Sequence, residues 1–164
     1  MSAHVNIFNL KKRVGVGLIA LVASQVSVLS CTPSDTTVSN GRPVVRVIHT
    51  VPGKNEFTPN LLTENRGAKV KVSFANLDQN PDSLHNWVLA SIGAGVDVAN
   101  AGALAGVARS FVPESRQVLA HSRLLKPGES ETFEIQIPDV PGDYPFLCTV
   151  PGHAESTRGI LRVK

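Results

Sequence analysis

The residues best equipped for chemistry in this 164-residue chain lie near its C-terminus, in CTVPGHAESTRG at positions 148–159. Cys148 supplies a thiol and His153, five positions on, an imidazole. Thiolate sulfur suits Cu(I) and imidazole nitrogen suits Cu(II), so a site built from both can hold the ion in either state. Such a centre takes two imidazoles in a near-trigonal plane with the thiolate and often a weak third donor such as a Met thioether, yet the only methionine is Met1. A second imidazole is available in LHNWVL, where His85 sits in a strand-like stretch far away in sequence. A Cys at a strand end and a His beyond the Pro151-Gly152 pair would meet at one end of a β-domain, with His85 arriving from elsewhere. Ligands pinned in this way move little when an electron arrives, which favours fast transfer.

The cysteine count sharpens the argument. Only Cys31 and Cys148 exist. Lys11, Lys12 and Arg13 precede an apolar run from Val14 to Ser30, broken by Gln25 and followed by Cys31, which is the layout of an export signal. VLSC at 28–31 resembles the lipobox of bacterial lipoproteins, and that resemblance makes Cys31 the lipidated first residue of the mature chain. The alternative is an uncleaved anchor helix, but a run of about 17 residues is at the bottom of the spanning range. With Cys31 acylated, Cys148 has no partner for a disulfide in a compartment where thiols oxidise. Coordination would hold it as a thiolate and shield it. The plainer reading of a lone cysteine is a small buried hydrophobe, and its neighbours here argue for the metal.

Charge gives no support to a nucleic-acid partner. The net charge of +3 comes from the first 30 residues, which hold three of the 16 Lys and Arg and none of the 13 Asp and Glu, so the remainder is near neutral.

The elements that must position the donors are legible as short strands. Residues 1–30 are expected to be the signal peptide, the polar, non-periodic 31–42 a flexible tether, and 43–164 one domain. Strand-like stretches fall at 44–49, 69–75, 86–91, 118–125, 132–137, 144–148 and 159–163. Val70, Val72 and Phe74 alternate with Lys69, Lys71 and Ser73, and Phe133, Ile135 and Ile137 with Thr132, Glu134 and Gln136, so each strand has one dry and one wet face. Pro52-Gly53, Pro127-Gly128 and Pro141-Gly142 have the order of type II turns. About seven such strands predict an all-β, antiparallel Greek-key sandwich. The Ala-rich VDVANAGALAGVAR at 96–109 predicts a short helical flap between strands, beginning after Asp97 as N-cap and ending before Pro113.

At these residues the chain resembles the cupredoxins, the type 1 blue copper proteins, and within them the azurin and auracyanin branch. HNWVL at 85–89 is similar to the first-ligand strand, Cys148 to His153 has the long azurin spacing, and VLAHSRLLKPGE at 118–129 resembles the segment between flap and copper loop. The resemblance covers most of 43–164 and implies His85, Cys148 and His153 as copper ligands. It also implies that Asn86 and Thr149 tie the two ligand loops together, the outer support expected around a thiolate. The position of the family's axial Met is Thr157, and the residue before the first His, whose carbonyl approaches copper in azurin, is Leu84 where azurin has Gly. Thr157 could leave copper three-coordinate, donate weakly through its hydroxyl, or make room for a water; Glu155 is a fourth candidate, expected to point outward. A weakly coordinated or open axial position is preferred to a carboxylate.

The resemblance further implies an exported one-electron carrier, periplasmic or at the cell surface, held to the membrane by its lipid. Redox partner proteins would dock at the apolar rim of Val150, Pro151, Gly152 and Ala154. The alternative is a copper carrier or storage protein without an electron-shuttle role. Among plainer readings, Trp87 is expected to be core packing rather than a relay, and His49 and His121 to be ordinary strand residues. An enzyme is disfavoured. A Cys-His hydrolase needs a general base and an orienting partner, a zinc site usually draws its ligands from close pairs, and a multicopper oxidase or copper nitrite reductase needs more histidines than His49 and His121 leave over.

Overall fold

The computed structural model describes residues 44–164; the expected signal peptide 1–30, the expected lipidation site Cys31 and the expected tether 31–42 lie outside the described residues. Nine strands, β1 (Val45–Thr50), β2 (Phe57–Thr58), β3 (Leu61–Glu64), β4 (Lys69–Ala75), β5 (Val88–Ala90), β6 (Val118–His121), β7 (Ser130–Gln136), β8 (Gly142–Leu147) and β9 (Arg158–Val163), form two sheets. One has the order β2-β1-β4-β7 and the other β3-β9-β8-β5-β6. The alternation in β4 and β7 places Val70 and Val72 opposite Ile135 and Phe133, and the inward face of β4 is fully buried. This is the expected β-sandwich, and it corrects the expectation of purely antiparallel pairing. β1 runs parallel to β4, and β3 runs parallel to β9, because the chain crosses to the other sheet between β1 and β4. β2 and β3 escaped the sequence pattern because they are two and four residues long and are split by Pro59 and Asn60.

The flap is a helix, α1 (Gly95–Ala105), followed by a short 3-10 turn at Val107–Arg109. It starts earlier than expected: Ala94 is the N-cap and Asp97 lies in the first turn, where a carboxylate faces the positive end of the helix dipole. Of the three Pro-Gly pairs, Gly53 and Gly128 have φ of 71° and 80°, as a type II turn requires, whereas Gly142 has φ of 154° and opens β8.

Between the sheets lies an aromatic core in which Trp87 sits 5.7 Å from Phe133 and 5.5 Å from Phe146, centroid to centroid. Trp87 is fully buried within this core. α1 covers the outer face of the second sheet, where Val98 packs with Val88, Ala90 and Leu147. Its Gly102 approaches so closely that an added Cβ would lie 2.6 Å from both the Phe111 carbonyl oxygen and Thr149 Cβ. β8 and β9 pair along their whole length, so the loop joining them, 148–157, is pinned at both ends to one end of the sandwich.

Candidate metal centre

Cys148 follows the last residue of β8, and its N–H donates to the carbonyl of Thr157, just before β9, at 2.8 Å. That bond closes the loop. Within it the His153 N–H donates to Val150 and the Thr157 N–H to His153, at 3.0 and 2.8 Å, across a turn that Gly152 makes possible with φ of 82°. His85 lies three residues before β5 and is held by a two-way backbone bridge to Leu125, at 3.1 and 2.8 Å.

These elements bring one donor atom each from His85, Cys148 and His153 within 4.8 Å of one another. Cys148 Sγ is 3.6 Å from His153 Nδ1, and the two imidazole rings are 4.6 Å apart. Glu155 is exposed and outside the trio, Leu84 is half-buried beside His85, and His49 and His121 hydrogen-bond to neighbouring backbone carbonyls elsewhere. Cys148 is the one free cysteine among the described residues and is buried.

Asn86 and Thr149 form a clasp. Asn86 Nδ2 donates to Thr149 Oγ1 at 2.8 Å, and the Thr149 N–H returns a bond to Asn86 Oδ1 at 2.8 Å. The clasp is tied to the segment after α1, where Asn86 donates to the carbonyl of Ser110 and Thr149 Oγ1 to that of Phe111. Ser110 and Phe111 reach these positions with φ of 56° and 57°, left-handed values that cost free energy in residues bearing a Cβ. The flap therefore buttresses the ligand loops.

Sequence reasoning missed Asp78. This carboxylate, in the loop after β4, accepts a hydrogen bond from His85 Nε2 at 2.9 Å and from Ser83 Oγ at 3.0 Å on Oδ2, and from the Gly53 N–H at 2.9 Å on Oδ1. Asp78 and Asp82 look alike in the polar run LDQNPDSLH, and only the fold turns one of them under the imidazole.

The electrostatics fit a soft cation. Burial pushes the Cys148 thiol up to about 12, against a smaller opposing effect of the N–H groups of Asn86 and Val150, so the sulfur stays protonated without a metal. Burial also holds His85 below the ordinary histidine range, with His153 adding to the effect and Asp78 opposing it, and burial lowers His153. Two neutral imidazoles and a thiol awaiting ionisation form the donor set of a type 1 copper site. His85 Nδ1 is buried with no hydrogen-bond partner, and so is Thr157 Oγ1. Orphaned buried polar atoms are rare in folded proteins unless something else satisfies them, and a metal ion held by the trio would satisfy His85 Nδ1.

No protein-family model matches the chain. It is 31% identical to the azurin of Pseudomonas aeruginosa over 116 residues, 66% of this chain and 78% of that protein. Against the azurin of Pseudomonas fluorescens biotype A the identity is 34% over 83 residues, a stretch that spans 65% of that relative's length. Among solved structures, the dithionite-reduced auracyanin of Roseiflexus castenholzii superposes with a TM-score of 0.68 at 27% identity, covering 76% of this chain and 99% of that one.

Proposed function

Because the chain belongs to the azurin family of cupredoxins, whose cofactor is a single copper ion, we propose that it is an exported, membrane-tethered one-electron carrier in which His85, Cys148 and His153 hold the metal. Copper bound there supplies a one-electron couple between Cu(I) and Cu(II). The chain's own residues do the rest. Cys148 gives up its proton to bind, the Asn86–Thr149 clasp keeps the two ligand loops from drifting apart, and the full burial of His85 and Leu125 keeps water from the inner side. The observation that carries the reading is the convergence of the three donor atoms within 4.8 Å on a scaffold cross-linked by long-range hydrogen bonds.

Thr157 is fully buried with a free hydroxyl, which supports a weak or open axial position, whereas the exposure of Glu155 speaks against a carboxylate ligand. Half-buried His153, rimmed by Val150, Pro151, Gly152 and Ala154, is the path by which a redox partner would exchange the electron. Tethering rests on the Lys11–Cys31 segment, and mass spectrometry of membrane-extracted protein should find a mature chain that begins at an acylated Cys31.

Addition of Cu(II) to the purified protein should produce an intense visible thiolate-to-copper band and the narrow EPR hyperfine pattern of a type 1 site. A reversible redox titration with a stable midpoint separates a shuttle from a carrier or storage protein. Irreversible release of copper on reduction would favour storage.

A further inference from the structure

We propose that Asp78 is a positioning residue for the copper centre, holding the His85 proton on Nε2 so that Nδ1 faces the thiolate, and biasing the site toward Cu(II). The inference rests on the copper reading above and adds to it a residue that sets the potential. His85 is fully buried and has two ring nitrogens. Nε2 meets Asp78 Oδ2 at 2.9 Å and Ser83 Oγ at 3.2 Å, while Nδ1 meets nothing. A carboxylate cannot donate when ionised, so the proton between them belongs to Nε2, and Nδ1 keeps the lone pair.

Asp78 is itself held from three sides. Ser83 Oγ donates to the same oxygen, the Gly53 N–H to the other, and its own N–H donates to Asn76 Oδ1 at 3.1 Å. Asn76 in turn accepts from Thr50 Oγ1 at 3.2 Å and donates to the carbonyls of Ser83 and Leu125 at 2.7 and 3.1 Å. Leu125 is the residue bridged to the His85 backbone. One buried network thus fixes both the main chain and the ring of a single ligand. Among the described residues no Lys or Arg lies within ion-pair distance of Asp78, so its negative charge is not cancelled on the spot.

Two consequences follow for bound copper. A carboxylate on the outer nitrogen makes the imidazole a stronger donor, and a nearby negative charge favours the more positive oxidation state. Both lower the potential. The direction is opposite to that expected from replacing an axial thioether by Thr157, so the two features would offset one another.

The test uses the full-length, copper-loaded protein. Partners of this kind change metal affinity about 10–100-fold; the carboxylate's charge acts on Cu(II) more than on Cu(I), and a tenfold difference between the two affinities is about 59 mV for one electron. Asp78→Asn should raise the midpoint by at least that much while the blue band persists. Ser83→Ala, which removes a competing donor from Oδ2 and leaves the charge, should move the midpoint the other way. Nitrogen NMR of the metal-free wild type should find the His85 proton on Nε2, and Asp78→Ala should release it to a mixture of tautomers. An unchanged midpoint in variants that keep the blue band, shifts of the same sign, or a proton on Nδ1 would overturn the proposal. If Asp78→Asn fails to fold, Ser83→Ala and the wild-type NMR still decide. A wild type that takes up no copper removes the metal reading alone, and the NMR result then stands or falls by itself.

Discussion

The two histidines of the centre sit in opposite kinds of structure. His85 is fully buried, its backbone bridged to Leu125, its ring tied to Asp78, and its neighbours Asn86 and Trp87 fully buried with it. His153 is half-buried, and its own backbone bonds run only to Val150, Ser156 and Thr157. The inner ligand is therefore part of the core, and damage to it is damage to the fold. The outer ligand is supported by a local turn, so it can be lost with the scaffold intact and is reachable from solvent. In the proposed carrier the two would divide the work: the inner side would hold the geometry while the outer edge would meet partners.

Cys148 joins the two regions, and Cys148→Ser should have the largest effect, abolishing the intense visible band, because a hydroxyl neither ionises nor overlaps with copper as a thiolate does. A variant that stayed intensely coloured would erase the distinction between regions by removing the site. Next comes the direct comparison. His85→Ala removes one of the donors to the buried Asp78 carboxylate and should cost about 1–3 kcal/mol of stability by chemical denaturation, with no recovery on adding imidazole. His153→Gly should leave stability within about 0.5 kcal/mol, and added imidazole should restore the blue spectrum. Equal stability losses in the two variants would mean that the inner and outer ligands are not different in kind.

Gly102→Ala probes how far the inner region extends. The new methyl would collide with the Phe111 carbonyl and Thr149, neither of which is the end of a flexible side chain. Overpacking of this sort costs about 1–3 kcal/mol, and it should also broaden the copper EPR signal, since Thr149 belongs to the clasp. Unperturbed spectra would confine the flap to a covering role. Thr157→Met tests the outer loop at its buried end. A thioether donates to Cu(II), so the midpoint should fall while the blue colour remains, and a rise would show that a hard oxygen donor already completes the site.

The smallest effect is the pH dependence of the metal-free protein. Both histidines titrate below the ordinary value of 6.5 in the fold, so the unfolded chain binds protons first as pH falls. Stability is complete above about 6.5, declines below it, and stops declining beneath the depressed folded values. Denaturant midpoints at successive pH values should show this, and His153→Gly should remove the share of the outer ring together with its part in lowering His85.

Much of this was legible in the chain. The alternation in Val70, Val72 and Phe74 and in Phe133 and Ile135 marked two paired strands, because a half-buried strand must alternate with period two. Cys148 and His153 were legible as a ligand pair because Cys148 is the only sulfur-bearing residue of 43–164 and His153 follows it by five positions, and His85 followed from its resemblance to a known first-ligand strand. β2 and β3 were not legible, since strands of two and four residues are too short to show a period. The start of α1 was missed because it has no side-chain cap to announce it.

By itself, then, the amino-acid sequence determined which atoms are available for copper and that a β-sandwich would carry them, since both depend on residue type and on periodicity along the chain. Only the tertiary structure decided which carboxylate reaches His85, that β1 and β3 pair in parallel, and that the flap locks onto Thr149 through Gly102. Those outcomes depend on approaches of a few ångströms between segments such as Gly53 and Asp78 or Asn86 and Thr149, the latter 63 residues apart, and no local pattern in either segment records the distance to the other.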